Sequence, residues 1–185
     1  AYKGYPVAEG EFTLASWPEL PTVSTSSGSI SVNVSGTTVS GRTPSGKSWS
    51  ISFSNGKMSS WTYGGQSLMY AAPDFNSYRD IDNDRSLSAT CVNSSSTSAS
   101  ALTKSGNKAT MTMTGTATNC SYTIAYTFYP DATVDMVVTF SPTGVTRRIG
   151  LGMQFPSGFE QVEYYGRGPW SNYVDRKTGS WLGRY

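Results

Sequence analysis

The run Ser48-Trp49-Ser50-Ile51-Ser52-Phe53-Ser54 constrains this chain more than any other stretch. Large apolar side chains alternate strictly with serine. An extended backbone therefore puts Trp49, Ile51 and Phe53 on one face and hydroxyls on the other, whereas a helix would scatter the three around its circumference. Asn55-Gly56 follows at once, and both residue types tolerate the positive φ that a two-residue hairpin turn demands. Met58 to Tyr63 supplies the return strand, and Gly64-Gly65 turns the chain again. A ribbon with one apolar face must bury that face against another layer.

The same two-residue period recurs along the chain. Ile30, Val32 and Val34 alternate with small polar residues, Met111 shares a face with Met113, and Ile124 shares one with Tyr126 and Phe128. Further strands are predicted over Ser88 to Val92, Ser98 to Thr103, Lys108 to Thr116, Ser121 to Tyr129, Thr133 to Phe140 and Arg147 to Phe155. Gly106-Asn107, Thr118-Asn119, Pro130-Asp131 and Pro142-Thr143-Gly144 punctuate them as turns. No segment keeps a helical period for ten residues. Many short antiparallel strands, apolar on one face and Ser/Thr-rich on the other, predict an all-β sandwich with Trp49 and Trp61 in its core. Near the start, Val7 to Leu14 reads as a strand and residues 15–22, with two prolines, as a linker. The chain is therefore divided into residues 1–21, the last strand of a preceding domain plus linker, and the sandwich domain 22–185.

Charge and composition narrow the function. A net charge of +2 with 14% charged residues offers no basic face for nucleic acid. No apolar run reaches the roughly 20 residues of a membrane span. The chain holds no histidine, which removes His-based acid–base catalysis, Ser-His-Asp and Cys-His nucleophiles and most zinc sites. Cys91 and Cys120 have no metal-like spacing. They are either two buried thiols or one disulfide between neighbouring strands, and the second reading requires an oxidising compartment. The serine- and threonine-rich faces suit a secreted or bacterial periplasmic protein better than a cytoplasmic one.

Two stretches hold candidate chemistry. Asp80-Ile81-Asp82-Asn83-Asp84 sets three carboxylates at alternate positions. An EF-hand starting at Asp80 fails, because Arg85 and Cys91 stand where glycine and glutamate are required. The stretch is then an acidic loop neutralised by Arg79 and Arg85, a looser oxygen-ligand site, or a loop leaning toward a sugar. Tyr164 to Tyr185 packs glycines, Pro169 and aromatics into a loop between two strands, where a β scaffold carries function. Trp170 and Trp181 are expected to be exposed there. Arg167, Asp175 and Arg176 form either a salt-bridge lattice or part of a binding site. Glycoside hydrolysis needs two facing carboxylates, roughly 5–5.5 Å apart for retention. Glu160 and Glu163, three apart on an expected strand, face opposite sides, so no catalytic residue is assigned.

Gly166-Arg167-Gly168-Pro169-x-x-Asn172-Tyr173-x-Asp175-Arg176-x-x-Gly179 resembles the signature of the C-terminal, small-chain domain of the family 2 β-galactosidases, with Ser171 in place of the usual glutamate. Ile51 to Gly65 resembles the hairpin that opens the same domain, Asp82-Asn83-Asp84 its acidic loop, and Val7 to Leu14 the last strand of the immunoglobulin-like domain before it. The resemblance covers nearly the whole chain. It implies a β-supersandwich of the galactose-mutarotase-like type, truncated at Tyr185. It also places the catalytic glutamates, with any Mg or Na, in a (β/α) barrel outside this chain, and so implies no cofactor here. The chain alone is expected to be inactive. Its partners would be the barrel and immunoglobulin-like domains, carbohydrate, and further copies in a homo-oligomer. Asp82, Asn83, Asp84, Arg167, Trp170, Asn172, Tyr173, Asp175 and Arg176 are the residues expected to meet sugar or a neighbouring domain. An independent carbohydrate-binding module is the alternative. Aldose 1-epimerase, another user of this fold, relies on histidine, and this chain has none.

Overall fold

The computed structural model describes residues 31–77, 96–144, 148–170, 172 and 177–185. The boundary after residue 21 and the strand expected over Ser88 to Val92 lie outside the described residues. Two compact units emerge, one spanning Thr25–Ser157 and a smaller one that includes Gly158–Tyr185.

In the first unit the described strands are β1 (Asn33–Ser35), β2 (Thr38–Arg42), β3 (Ser48–Ser54), β4 (Lys57–Tyr63), β5 (Gln66–Ser67), β6 (Ala71–Asn76), β7 (Ser96–Ala99), β8 (Thr103–Ser105), β9 (Lys108–Ala117), β10 (Cys120–Phe128), β11 (Val134–Pro142) and β12 (Gly150–Gln154). The second unit contributes β13 (Tyr165–Gly168), a 3-10 turn over Lys177–Gly179 and β14 (Trp181–Arg184). Every pairing is antiparallel, and no α-helix occurs among the described residues. The all-β expectation holds.

Strands β1 to β5 form one meander, with neighbours in sequence also neighbours in space. A second sheet runs β11-β10-β9-β7, with β8 also on β9. The β3–β4 turn is the one read from sequence: Asn55 and Gly56 have φ of 49° and 81°, the double positive φ of a type I′ hairpin. The two sheets face each other. Trp49, Ile51, Phe53 and Met58 from the first join Met111, Met113, Tyr122, Ile124, Tyr126 and Phe128 from the second in one buried cluster. The Phe53 ring meets those of Tyr126 and Phe128 edge-on, at 5.6 and 5.9 Å between centroids. The Trp49 indole N–H donates to the Pro130 carbonyl across the layers at 3.1 Å, which satisfies the one polar atom that side chain buries. Each such side chain contributes roughly 1.5–3 kcal/mol on burial, so the alternation seen in sequence is what glues the layers.

Three local expectations are corrected. The strand read over Ser98 to Thr103 is two strands, β7 and β8, both on β9. Ala99 pairs with Met113 and Thr103 with Thr110, so three residues span two. Ser100 explains the bulge: its hydroxyl accepts from the Thr112 N–H at 3.0 Å while its own N–H donates to the Thr112 carbonyl at 2.8 Å. A serine that stands in for a backbone acceptor allows the ladder to skip. Strand β6 lies in a stretch for which no strand was predicted, and it contains Pro73. It survives because Ala72 and Pro73 together oppose Met153, between the pairs Asp74↔Gly152 and Ala71↔Gln154. Proline is tolerated at such a bulge, where its missing N–H breaks no ladder bond. Finally, Glu160 and Glu163 do not lie on a strand. Glu160 accepts from the Gly158 N–H at 2.8 Å, and Glu163 pairs with Arg184 at 2.7 Å.

Candidate functional site

The β6–β12 ribbon carries the polar centre of the first unit. Period-two alternation along β6 buries Pro73 and Phe75 and leaves Ala72, Asp74 and Asn76 on the other face. The bulge at Ala72-Pro73 sits immediately before Asp74, a position from which a bulge re-aims a side chain. The Asp74 carboxylate takes the Lys57 ammonium at 2.5 Å, the Tyr122 hydroxyl at 3.0 Å and the Phe75 N–H at 2.8 Å. Lys57 comes from β4 and Tyr122 from β10, so this one carboxylate ties the first sheet, the ribbon and the second sheet together. A groove of about 580 Å³ opens over it, lined by Lys57, Asp74, Asn76, Gly152, Met153 and Gln154 among others.

Aromatic rings floor this region. Phe75 stacks on Tyr122 at 5.5 Å, and Phe140 closes on both. Further in, the Tyr126 hydroxyl is buried with no hydrogen-bond partner. Burial, with the Tyr122 phenol and Asp74 carboxylate adding like charge nearby, pushes its pKa up to about 12. Tyr126 is therefore a neutral phenol, not a proton carrier, at any physiological pH.

The second unit is a hairpin. β13 pairs with β14 from Tyr165↔Arg184 to Gly168↔Trp181, and reciprocal backbone bonds between Tyr164 and Tyr185, at 2.9 and 3.0 Å, extend the ladder. The glycines have a packing reason. A Cβ at Gly168 would run into the Tyr164 hydroxyl and the Tyr185 ring, and one at Gly183 would meet Tyr185 at 3.1 Å. Two tyrosine rings, 5.6 Å apart, thus lie close over Gly168 and Gly183. The Gly168-Pro169 bond is cis. The Arg167 guanidinium donates to the carbonyl of buried Ser180 at 2.8 Å, and the Ser180 hydroxyl reaches the Trp170 carbonyl at 3.4 Å.

The sequence candidates are distributed as follows. Trp170 is 68% exposed and Asn172 is exposed, while Trp181 is half-buried in β14. Arg167 holds the hairpin's two strands together. Asp82, Asn83, Asp84, Tyr173, Asp175, Arg176 and Cys91 lie outside the described residues. Cys120 is a buried free thiol whose S–H donates to the Ser121 carbonyl at 3.2 Å. No cluster of metal-ligating side chains occurs among the described residues.

Comparison with known families decides the kinship. The β-galactosidase small-chain model matches residues 43–185, from the turn before β3 through the hairpin. The chain belongs to the β-galactosidase small-chain family. A β-galactosidase of Staphylococcus xylosus is 51% identical to it over 35 residues, which is 19% of this chain and 4% of that relative's length. The small-chain match thus takes in β3 to β5 of the first sheet, the whole second sheet and the Gly166–Gly179 signature.

Sequence reasoning missed the Lys57–Asp74–Tyr122 junction. Its signal was present but faint: one acid in Ala71-Ala72-Pro73-Asp74-Phe75-Asn76, on the face opposite Pro73 and Phe75. Nothing in the linear order says that Lys57 and Tyr122, 17 residues before and 48 after, converge on it.

Proposed function

We propose that this chain is a non-catalytic domain of a family 2 β-galactosidase. In the whole enzyme, which hydrolyses terminal β-D-galactosides, it shapes a wall of the active site and supplies contacts to other domains and subunits. The family match over residues 43–185 carries this reading. The engagement of the described acids supports it. Asp74 serves Lys57 and Tyr122, Asp131 accepts from the Thr133 N–H, Asp135 from the Tyr129 hydroxyl, Glu160 from the Gly158 N–H, and Glu163 pairs with Arg184. A retaining glycosidase needs one carboxylate poised to attack and a second to protonate the leaving group, and these acids are instead spent on holding strands and turns. The test is turnover of a chromogenic β-D-galactoside by the purified 185-residue chain. No release of chromophore above the buffer rate is expected, and saturable turnover would overturn the reading.

The exposure of Trp170 favours a second role, that of a carbohydrate-binding module. An indole face turned to solvent beside Asn172 suits stacking on the apolar face of a sugar. Calorimetric titration with lactose, repeated on Trp170→Ala, tests it. Binding that the substitution leaves unchanged would rule out the indole as the sugar platform.

A further inference from the structure

We propose that β11 is a docking edge for a second copy of this chain, the two strands pairing antiparallel about Val137 so that the second sheets of both copies become one. This gives the subunit contacts of the role above a surface, and rests on that reading only for its place in the whole enzyme.

The edge is open. β11 ends the order β11-β10-β9-β7, and among the described residues nothing pairs with its outer side. Natural sheets blunt their edges with short strands, bulges or charges, and the other edges of the two sheets obey that rule. β1 and β5 are three and two residues long. β7 and β8, four and three residues long, are broken at Ser100. β11 instead runs nine residues, Val134–Pro142, in unbroken register with β10. Its one charge, Asp135, accepts from the Tyr129 hydroxyl of its own turn.

The direction of each backbone group follows from the ladder. The Tyr129 N–H donates to the Thr133 carbonyl at one end of the β10–β11 register, and the Thr143 N–H to the Asn119 carbonyl at the other. Antiparallel pairs alternate between bonded and non-bonded, so the odd-numbered residues from Thr133 to Thr143 bond to β10. Val134, Met136, Val138 and Phe140 therefore aim their N–H and C=O groups outward. Their side chains lie on the core face, opposite Phe128, Tyr126, Ile124 and Tyr122. They are only partly covered there, with Met136 37% exposed. The apolar inner face thus continues to the rim of the sheet, where a further strand would cover it.

Register selects the occupant. With the two-fold axis at Val137, Met136 meets Val138 of the second copy and Val134 meets Phe140. Four N–H groups from each copy then reach carbonyls of the other, eight bonds in all. An axis at Val138 would pair Val134 with Pro142, which has no N–H. An axis at Asp135 would set two carboxylates face to face, and one at Met136 would set Val137 against Asp135. The Val137 axis puts Asp135 beside Thr139 and Val137 against itself. Val137 is 64% exposed on a face otherwise built of serine, threonine and Asp135, and its neighbour across β10 is Ala125. Pairing joins the two valines and two alanines into one apolar row, a self-complementary contact of the kind a two-fold interface requires.

Sedimentation of the full chain over a concentration series tests the proposal, and the mass should rise from one copy to two. Met136→Pro removes an outward N–H that serves no ladder bond inside the chain, and Val137→Lys sets two ammonium groups opposite each other. Each should weaken dimerisation by roughly tenfold or more. Thermal unfolding checks the fold of both, and Val137→Lys decides the matter alone if Met136→Pro fails to fold. Val137→Cys reads the register, because its two copies would face each other at a Cα separation of about 4.5 Å, within disulfide reach. Mild oxidation should cross-link it and leave Thr139→Cys, opposite Asp135, uncoupled, with the parent run beside both to account for Cys91 and Cys120. A parent that stays monomeric at every concentration overturns the proposal. So does a dimer that Val137→Lys leaves unweakened, or cross-linking of Thr139→Cys in preference to Val137→Cys. None of these results bears on the non-catalytic role, which the turnover assay reads separately.

Discussion

The sandwich and the terminal hairpin are both antiparallel β, yet they are held by opposite means. In the sandwich, large side chains do the holding: Ile51, Ile124 and Phe128 are wholly buried, and rings from one sheet lodge edge-on against rings from the other. In the hairpin, the backbone does it. Four ladder pairs, two further tyrosine backbone bonds and the Arg167–Ser180 latch support a ribbon that leaves Tyr165 63% and Trp170 68% exposed while Trp181 and Tyr185 are half-buried. A two-stranded ribbon in isolation is marginally stable at best. The sandwich is thus held by its core, and the hairpin leaves Tyr165 and Trp170 exposed for contact.

This contrast can be broken most sharply at Phe128. Truncating its fully buried ring in Phe128→Ala should cost about 3–5 kcal/mol of unfolding free energy, read from denaturant midpoints. A loss near zero would mean that the two sheets do not depend on each other.

Alkali probes the same core. The Tyr126 phenol has its folded pKa raised to about 12 from an ordinary 10.0. Below pH 10 both states hold the proton and stability is unaffected. Between pH 10 and about 12 only the unfolded state releases it, so stability falls with rising pH, by roughly 3 kcal/mol over the two units. Other tyrosines titrate too, so the comparison is with Tyr126→Phe, which also removes a buried unsatisfied hydroxyl. The variant should match or exceed the parent at pH 8, and its advantage should grow steadily above pH 10. A constant difference across that range would show that the phenol ionises without penalty.

Glycine substitutions sharpen the comparison further. A Cβ at Gly115 collides with the Tyr122 ring, which is buried and tied to Asp74. Gly115→Ala should therefore cost about 1–3 kcal/mol. Gly168→Ala collides with the Tyr164 hydroxyl and, less closely, with the half-buried Tyr185 ring, but the Tyr164 ring is 42% exposed and can swing into solvent, so the cost should be smaller. The reverse order of melting temperatures would contradict the division between a packed scaffold and a backbone-held ribbon. Smallest of all, Trp170→Ala should shift stability by no more than about 0.5 kcal/mol, because the indole packs on little.

Much of this architecture was legible in the order of residues. Trp49, Ile51 and Phe53 declared a buried face, Asn55-Gly56 declared its turn, and Met111/Met113 and Ile124/Tyr126/Phe128 declared the opposing sheet. Each of these signals is local. Period-two alternation and positive φ are set by neighbours in sequence, and no distant residue is needed to interpret them. The hairpin's Gly-x-Gly-Pro run was recognisable as a motif, but its reason was not. That Gly168 and Gly183 make room for the Tyr164 and Tyr185 rings emerges only when β13 and β14 are laid side by side.

Tertiary structure alone decided the rest. Pro73 reads as a strand breaker until β12 arrives with a register that accommodates the bulge. Asp74 reads as an unremarkable surface acid until Lys57 and Tyr122 converge on it from other strands. Sequence determined which faces would be apolar and where the chain would reverse, because both follow from the geometry of a few consecutive residues. It could not determine which polar side chains would meet, because electrostatic and hydrogen-bonding partners are chosen by the packing of sheets whose residues lie far apart in the chain.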